Sequence, residues 1–243
     1  MPYLQAGRIL FLLLSLSLCS TLQAQVLVLN NPTAPPLTTD SQDGLLDVVV
    51  SEAFRRCGLE LKLIKLPAER ALRNANEGID DGDMSRIAGL EKVYPNLIRV
   101  PEKIFDMEFV AFSKQKDMVI TDWNSLEPYN VGLIKGWKIF ENGTRHLPNV
   151  VAVRDADVMF SMLDKNRIEV ALYARWLGLY HIKTMNLQGI HDVKPPLATK
   201  EMFIYLHKKH HELVPKIAQA LREVKQSGMY ERNFKEKFRA IQP

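Results

Sequence analysis

Residues 61–87 read LKLIKLPAERALRNANEGIDDGDMSRI. Leu61–Leu66 is a short strand that Pro67 ends, because proline has no N–H to give a ladder. Pro67 suits the first turn of a helix that carries Arg70, Ala71, Leu72 and Ala75, and Gly78 stops it. Asp80–Ile87 then reads as a second short strand and its exit loop. Strand, helix and strand in so few residues make a βαβ unit, and hence a parallel sheet.

The same alternation extends outward. Upstream, Val26–Leu29 is a buried strand ending at Asn30-Asn31-Pro32, and Pro32–Asp43 is a loop rich in Pro, Thr and Asp. Leu45, Leu46, Val49, Ala53 and Phe54 recur at helical spacing, and Gly58 closes that helix. Downstream, Ile98–Val100 and Met107–Phe112 read as further strands.

The pattern restarts at Val131–Ile134, a strand running into Lys135-Gly136-Trp137 and a short helix to about Arg145. Val150–Val153 is the next strand. The helix after it has Val158, Met159, Met162 and Leu163 on one face and Asp155 or Asp157 as its cap. Strand Ile168–Tyr173 and helix Trp176–Met185 complete the second set. A strand over Met202–Leu206, a helix with Leu213, Ile217, Leu221 and Val224, and an amphipathic segment with Tyr230, Phe234 and Phe238 close the chain. Ser113–Asp122 and Lys194–Leu197 read as connectors between the sets.

Residues 1–24 are expected to be a signal peptide: Arg8, an apolar run from Ile9 to about Leu18, and a cleavage end at Leu22-Gln23-Ala24. The apolar run is short for a membrane span of ~20 residues. Its removal takes Cys19 and one basic residue, lowering the formal charge from +4 to +3 and leaving Cys57 as a buried structural thiol. The expected location is the periplasm. The 243 residues, 47% hydrophobic and 25% charged, fit a globular protein and exclude collagen-like or disordered chains. No run of five basic residues occurs, so no nucleic-acid partner is expected.

Several stretches, taken with the order of elements, resemble bacterial extracellular solute-binding proteins of family 3. They are Leu66–Leu72 with Gly78, Asp81–Arg86 with Tyr94–Leu97, Val131–Trp137, and Tyr205–His210 with Leu213-Val214 and Gly228–Tyr230. The resemblance implies the type II periplasmic binding fold, in which two α/β lobes are joined by a two-stranded hinge. It places lobe one at 25–112 plus 199–243 and lobe two at 113–198. It also implies a monomer without catalysis, which takes a small ligand between its lobes and serves an ABC-type permease or a membrane-bound sensor.

In open α/β sheets a ligand lies beyond the carboxyl ends of the strands. That rule selects the candidates. Arg86 could hold a carboxylate through paired N–H groups, the competing reading being a pair with Asp83 or Glu91, and Ser85 beside it offers a hydroxyl. Asn30 and Asn31 end the first strand, although turn formation before Pro32 explains them equally. Arg70 can point into the cleft from its helix, where Glu69 suits the helix dipole without any function. Gly136 offers backbone N–H groups to an anion, and Trp137 could stack on a ligand or pack on its own helix.

Tyr173 and Arg175 end another strand. Amino-acid-binding members commonly carry an aspartate there, and Leu172-Tyr173-Ala174-Arg175 has no acid. That departure counts against an ordinary α-amino acid, and Tyr173 with Arg175 suits an acidic or aromatic ligand; a small, carboxylate-bearing, amino-acid-like ligand is expected. The alternative from another class is an enzyme on the same fold, such as a cyclohexadienyl-type dehydratase, with Glu69 as its nearest acid/base group.

Asp80, Asp81 and Asp83 lack the rest of a calcium loop, and His207, His210 and His211 form no metal motif. Neither a metal nor a cofactor is expected.

Overall fold

β1 (Gln25–Asn30) pairs in parallel with β2 (Leu59–Ile64) on one side and with β3 (Gly82–Ile87) on the other. The computed structural model describes residues 24–239 and 241, so the expected leader lies outside the described residues except for Ala24. Helices α1 (Leu45–Arg56) and α2 (Ala68–Glu77) make the crossovers. Leu45, Leu46, Val49, Val50, Ala53 and Phe54 are fully buried along one stripe of α1, as their spacing requires. Pro67 precedes the first turn of α2, and Gly78 ends it at φ +75°, a left-handed conformation that glycine adopts without a Cβ clash.

The second half repeats the plan. β5 (Val131–Ile134), buried at every position, pairs in parallel with β6 (Val150–Val153) and β7 (Val170–Ala174). Its helices are α3 (Lys138–Gly143), α4 (Ala156–Asp164) and α5 (Arg175–Thr184). Of the two expected caps for α4, Asp155 serves: its Oδ1 accepts the Val158 N–H at 2.9 Å.

Two strands, β4 (Leu97–Ser113) and β8 (His191–His207), each 17 residues long, join the halves. They pair antiparallel, giving one mixed sheet in the order β2-β1-β3-β8-β4-β7-β5-β6. Here the structure corrects two expectations. The segments Ile98–Val100 and Met107–Phe112 are parts of one strand, and Lys194–Leu197 is no connector but lies inside β8. Both errors come from proline. Pro101 falls where the register shifts between Arg99 and Lys103, and Pro195-Pro196 falls between Val193 and Ala198, opposite another shift. Such irregularities leave residues unpaired, so a missing N–H costs no ladder bond.

Beyond β8 a 3₁₀ segment (Lys208–Leu213) leads into α6 (Val214–Gln226) and α7 (Met229–Phe238). α6 buries Ile217, Leu221 and Val224. Cys57, expected to be buried, is only half-buried at the end of α1, and burial still pushes its thiol pKa up.

Candidate functional site

The carboxyl end of β1 is a buried polar junction. The Asn30 amide, fully buried, donates to Asp80 Oδ2 at 3.0 Å and lies 3.4 Å from the carbonyl oxygens of Ala71 and Gly82. Asn30 thereby ties α2 and the start of β3 to β1. At Gly82 the backbone runs so close to the Tyr205 carbonyl that a Cβ would collide with it.

At β3, Arg86 Nη2 lies 2.7 Å from Asp83 Oδ2, and the Asp83 side chain is fully buried. Burial pushes the Asp83 carboxyl above its ordinary value, with Arg86 acting against that shift. Arg86 thus makes the pair with Asp83 that was one reading for it. Glu91 accepts instead from the Tyr205 hydroxyl at 2.9 Å. Ser85 is buried with no partner for its Oγ among the described residues, while its N–H donates to Asp83 at 3.3 Å. Arg70 and Glu69 are both exposed in the first turn of α2.

In the second half, Gly136 takes φ +93°, which favours glycine. Its N–H donates to Glu141 Oε1 at 2.7 Å, and Lys138 Nζ binds the other oxygen of that carboxylate at 2.7 Å. The expected anion site at Gly136 is thus filled by the protein's own carboxylate. Trp137 and Tyr173 do come together, with ring centroids 4.8 Å apart. Trp137 also stacks on Phe140 at 5.8 Å and meets Phe109 edge-on at 6.3 Å, the packing alternative considered for it. Tyr173 is 5% exposed, and burial drives its phenol pKa well up.

Arg175 opens α5, with Nη1 2.6 Å from Glu108 of β4 and Nε 3.0 Å from Asp192 of β8. Of the three candidate arginines, Arg86 and Arg175 therefore face carboxylates of their own chain. Arg70 has no ion-pair partner among the described residues.

Glu141 first, and Glu69 to a lesser degree, hold the Lys138 ammonium above its ordinary pKa. Glu69 lies in the first turn of α2 beyond β2, and Lys138 begins α3 beyond β5.

Sequence reading missed a polar cavity of about 170 Å³ beyond β1 and β2. Asn31, Thr33, Thr38, Asp40, Asp47 and Lys65 are among its lining residues. Asp47 Oδ2 accepts from the N–H groups of Thr39 (2.8 Å) and Gly44 (3.0 Å), and burial pushes its carboxyl up. The available signal was the run of threonines in the loop after β1, on the ligand side of an open sheet.

Among the described residues no helix is long and apolar enough to cross a membrane, and no group of three His, Cys, Asp or Glu could hold a metal. No family model matches the chain. An uncharacterized protein of Shewanella oneidensis is 24% identical over 197 residues, covering 76% of this chain and 73% of that protein. Among solved structures, the GluR0 ligand-binding core in complex with L-glutamate matches with a TM-score of 0.76 at 12% identity, over 88% of this chain and 98% of that one. A histidine kinase sensor domain described as similar to periplasmic binding proteins matches with a TM-score of 0.72 at 15% identity, over 88% and 96%. The amino acid ABC transporter substrate-binding protein AbpA of Streptococcus pneumoniae, bound to L-arginine, matches with a TM-score of 0.70 at 14% identity, over 89% and 95%. The chain has the two-lobed α/β fold of periplasmic binding proteins.

Proposed function

We propose that this chain is a non-catalytic solute-binding protein of the family 3 type, exported to the periplasm. It holds a small amino-acid-like ligand between its lobes. The observation that carries this reading is the placement of α2 and α3. Each begins beyond the carboxyl end of a strand in a different half, the side of an open α/β sheet on which ligands lie.

The lobes divide within the shared pair. β4 crosses between Lys103 and Phe109, and β8 between Ala198 and Met202, since Phe109–Phe112 pair with β7 while Phe203 pairs with β3. Lobe one is then the amino-terminal α/β set with α6 and α7, and lobe two is the set from β5 to α5.

Arg70 is the group assigned to a ligand carboxylate, because Arg86 and Arg175 already face Asp83, Glu108 and Asp192. Trp137 and Tyr173 supply an aromatic wall on lobe two. The likeness to AbpA supports delivery to an ABC-type permease, and the likeness to the sensor domain supports a signalling role. An enzyme such as a dehydratase would use Glu69, but that carboxylate is solvent-exposed, whereas proton-transfer groups work from sites that exclude water.

A thermal-shift screen of the amino acids and small carboxylates tests the reading. At least one compound should raise the melting temperature, by about 5 °C near 100 times its Kd. Arg70→Ala should reduce that shift. No shift with any compound, or recovery of the ligand chemically altered, would refute it.

A further inference from the structure

Two neighbouring residues tie the first turn of α5 to β4, β8 and α7. Arg175 Nη1 lies 2.6 Å from Glu108 of β4, and its Nε lies 3.0 Å from Asp192 of β8. The start of α5 is thereby fixed to both shared strands. Trp176, the next residue, meets α7 instead. Its ring stands edge-on to Phe234 and Phe238, with centroids 5.3 and 4.8 Å apart.

Tyr230, Phe234 and Phe238 recur every four residues, so they share one face of α7. Their rings stack in a continuous row, Tyr230 on Phe234 at 6.2 Å and Phe234 on Phe238 at 4.5 Å, each pair within 16° of parallel. The Tyr230 end of the row is within reach of the charges on Asp106 and Lys103, where β4 crosses. α7 packs on α1 and α6, which belong to lobe one. Lys237 Nζ also comes to 3.9 Å from Asp43, just ahead of α1. One helix anchored in lobe one thus carries an aromatic face on which a lobe-two residue rests.

The shared strands are weakly braced at the crossing. The ladder between β4 and β8 shifts register between Arg99 and Lys103 and again between Lys103 and Phe105. Such irregularities interrupt pairing and bend a strand. Asp106 and Glu201 are direct cross-strand partners, a like-charged pair that Lys103 bridges at 2.8 and 3.3 Å. The direction of the restraint follows from where the contacts lie. α1 follows β1 and α5 follows β7, so both helices start on the carboxyl side of their strands. Those are the ends that separate when the lobes open. With Lys237 beside the start of α1 and Phe238 against the start of α5, opening must draw Trp176 off the aromatic row.

We propose that α7 is a strap across the hinge, and that Trp176 seated against Phe234 and Phe238 limits how far the lobes open. The proposal rests on the division into lobes given above and not on any ligand.

Pulsed electron paramagnetic resonance distances in the free protein test it. Spin labels are placed on Arg73→Cys in α2 and Arg154→Cys after β6, both exposed, with Cys57→Ser to remove the native thiol. Trp176→Ala should lengthen the mean distance and broaden the distribution. Phe234→Ala, which trims the half-buried ring from the α7 side, should do the same to a lesser degree. Trp176→Phe, which keeps a ring in place, should stay near the wild-type distance. A contact that only adds stability would lower the melting temperature and leave the distances alone. Distances unchanged or shortened in Phe234→Ala would overturn the proposal, even if Trp176→Ala fails to fold. Because no ligand is added, a thermal-shift screen without a hit would count against solute binding and leave this result readable.

Discussion

Asp83 and Arg86 show what the sequence hides at the scale of single residues. In a regular strand, residues three apart point to opposite faces. The register of β3 against β8 shifts between these two positions, and the irregularity brings their side chains together at 2.7 Å. Arg86→Ala would leave Asp83 buried without this cation, so a loss of about 3–5 kcal/mol is expected in urea unfolding. Replacing both, as Asp83→Leu with Arg86→Met, should recover part of that loss. Any binding defect in Arg86→Ala must be read against this destabilisation. Asp81 gives a second prediction. Burial works against its charge, but bonds from Lys209, the Val28 N–H and His210 outweigh it and hold the carboxyl below its ordinary value. A lowered folded pKa stabilises above the unfolded value of about 3.9, and the contribution is lost as pH falls through the folded value. Asp81→Asn should therefore be less stable than wild type at pH 6, and the difference should shrink toward pH 3 in denaturant titrations.

Among elements, the helices and the short parallel strands were legible because their signals are local. The apolar stripe of α1, Pro67 and Gly78 around α2, and the continuous apolar run of β5 each lie within one segment. The long strands β4 and β8 were not legible. Proline normally breaks a ladder, and only the partner strand reveals the shifts that accommodate Pro101, Pro195 and Pro196. The role of Arg175 was hidden for a similar reason, since Glu108 lies 67 residues away along the chain. The next residue, Trp176, meets Phe234 and Phe238 of α7 edge-on, with centroids 5.3 and 4.8 Å apart. Neither segment announces the other. Phe238 is fully buried, and Trp176 is half-buried. Trp176→Ala should cost about 2–4 kcal/mol in chemical unfolding, somewhat below a full core truncation, and Trp176→Phe clearly less. An alanine variant as stable as wild type would show that this contact between α5 and α7 contributes little.

For the molecule as a whole, the order of elements announced two α/β sets, and the structure joins them through β4 and β8 into one sheet. Much less of the site was legible. The sequence marked strand ends, but it could not show that Glu141 fills the Gly136 site or that the loop after β1 lines a polar pocket with the end of β2. Those features depend on side chains folding back onto their own loops. The central claim is that ligand binding draws two lobes together around the shared strands. Small-angle X-ray scattering tests it most directly, measured on the protein alone and saturated with the compound that gives the largest thermal shift. The account predicts a smaller radius of gyration in the saturated protein. An unchanged radius with the ligand demonstrably bound would contradict it.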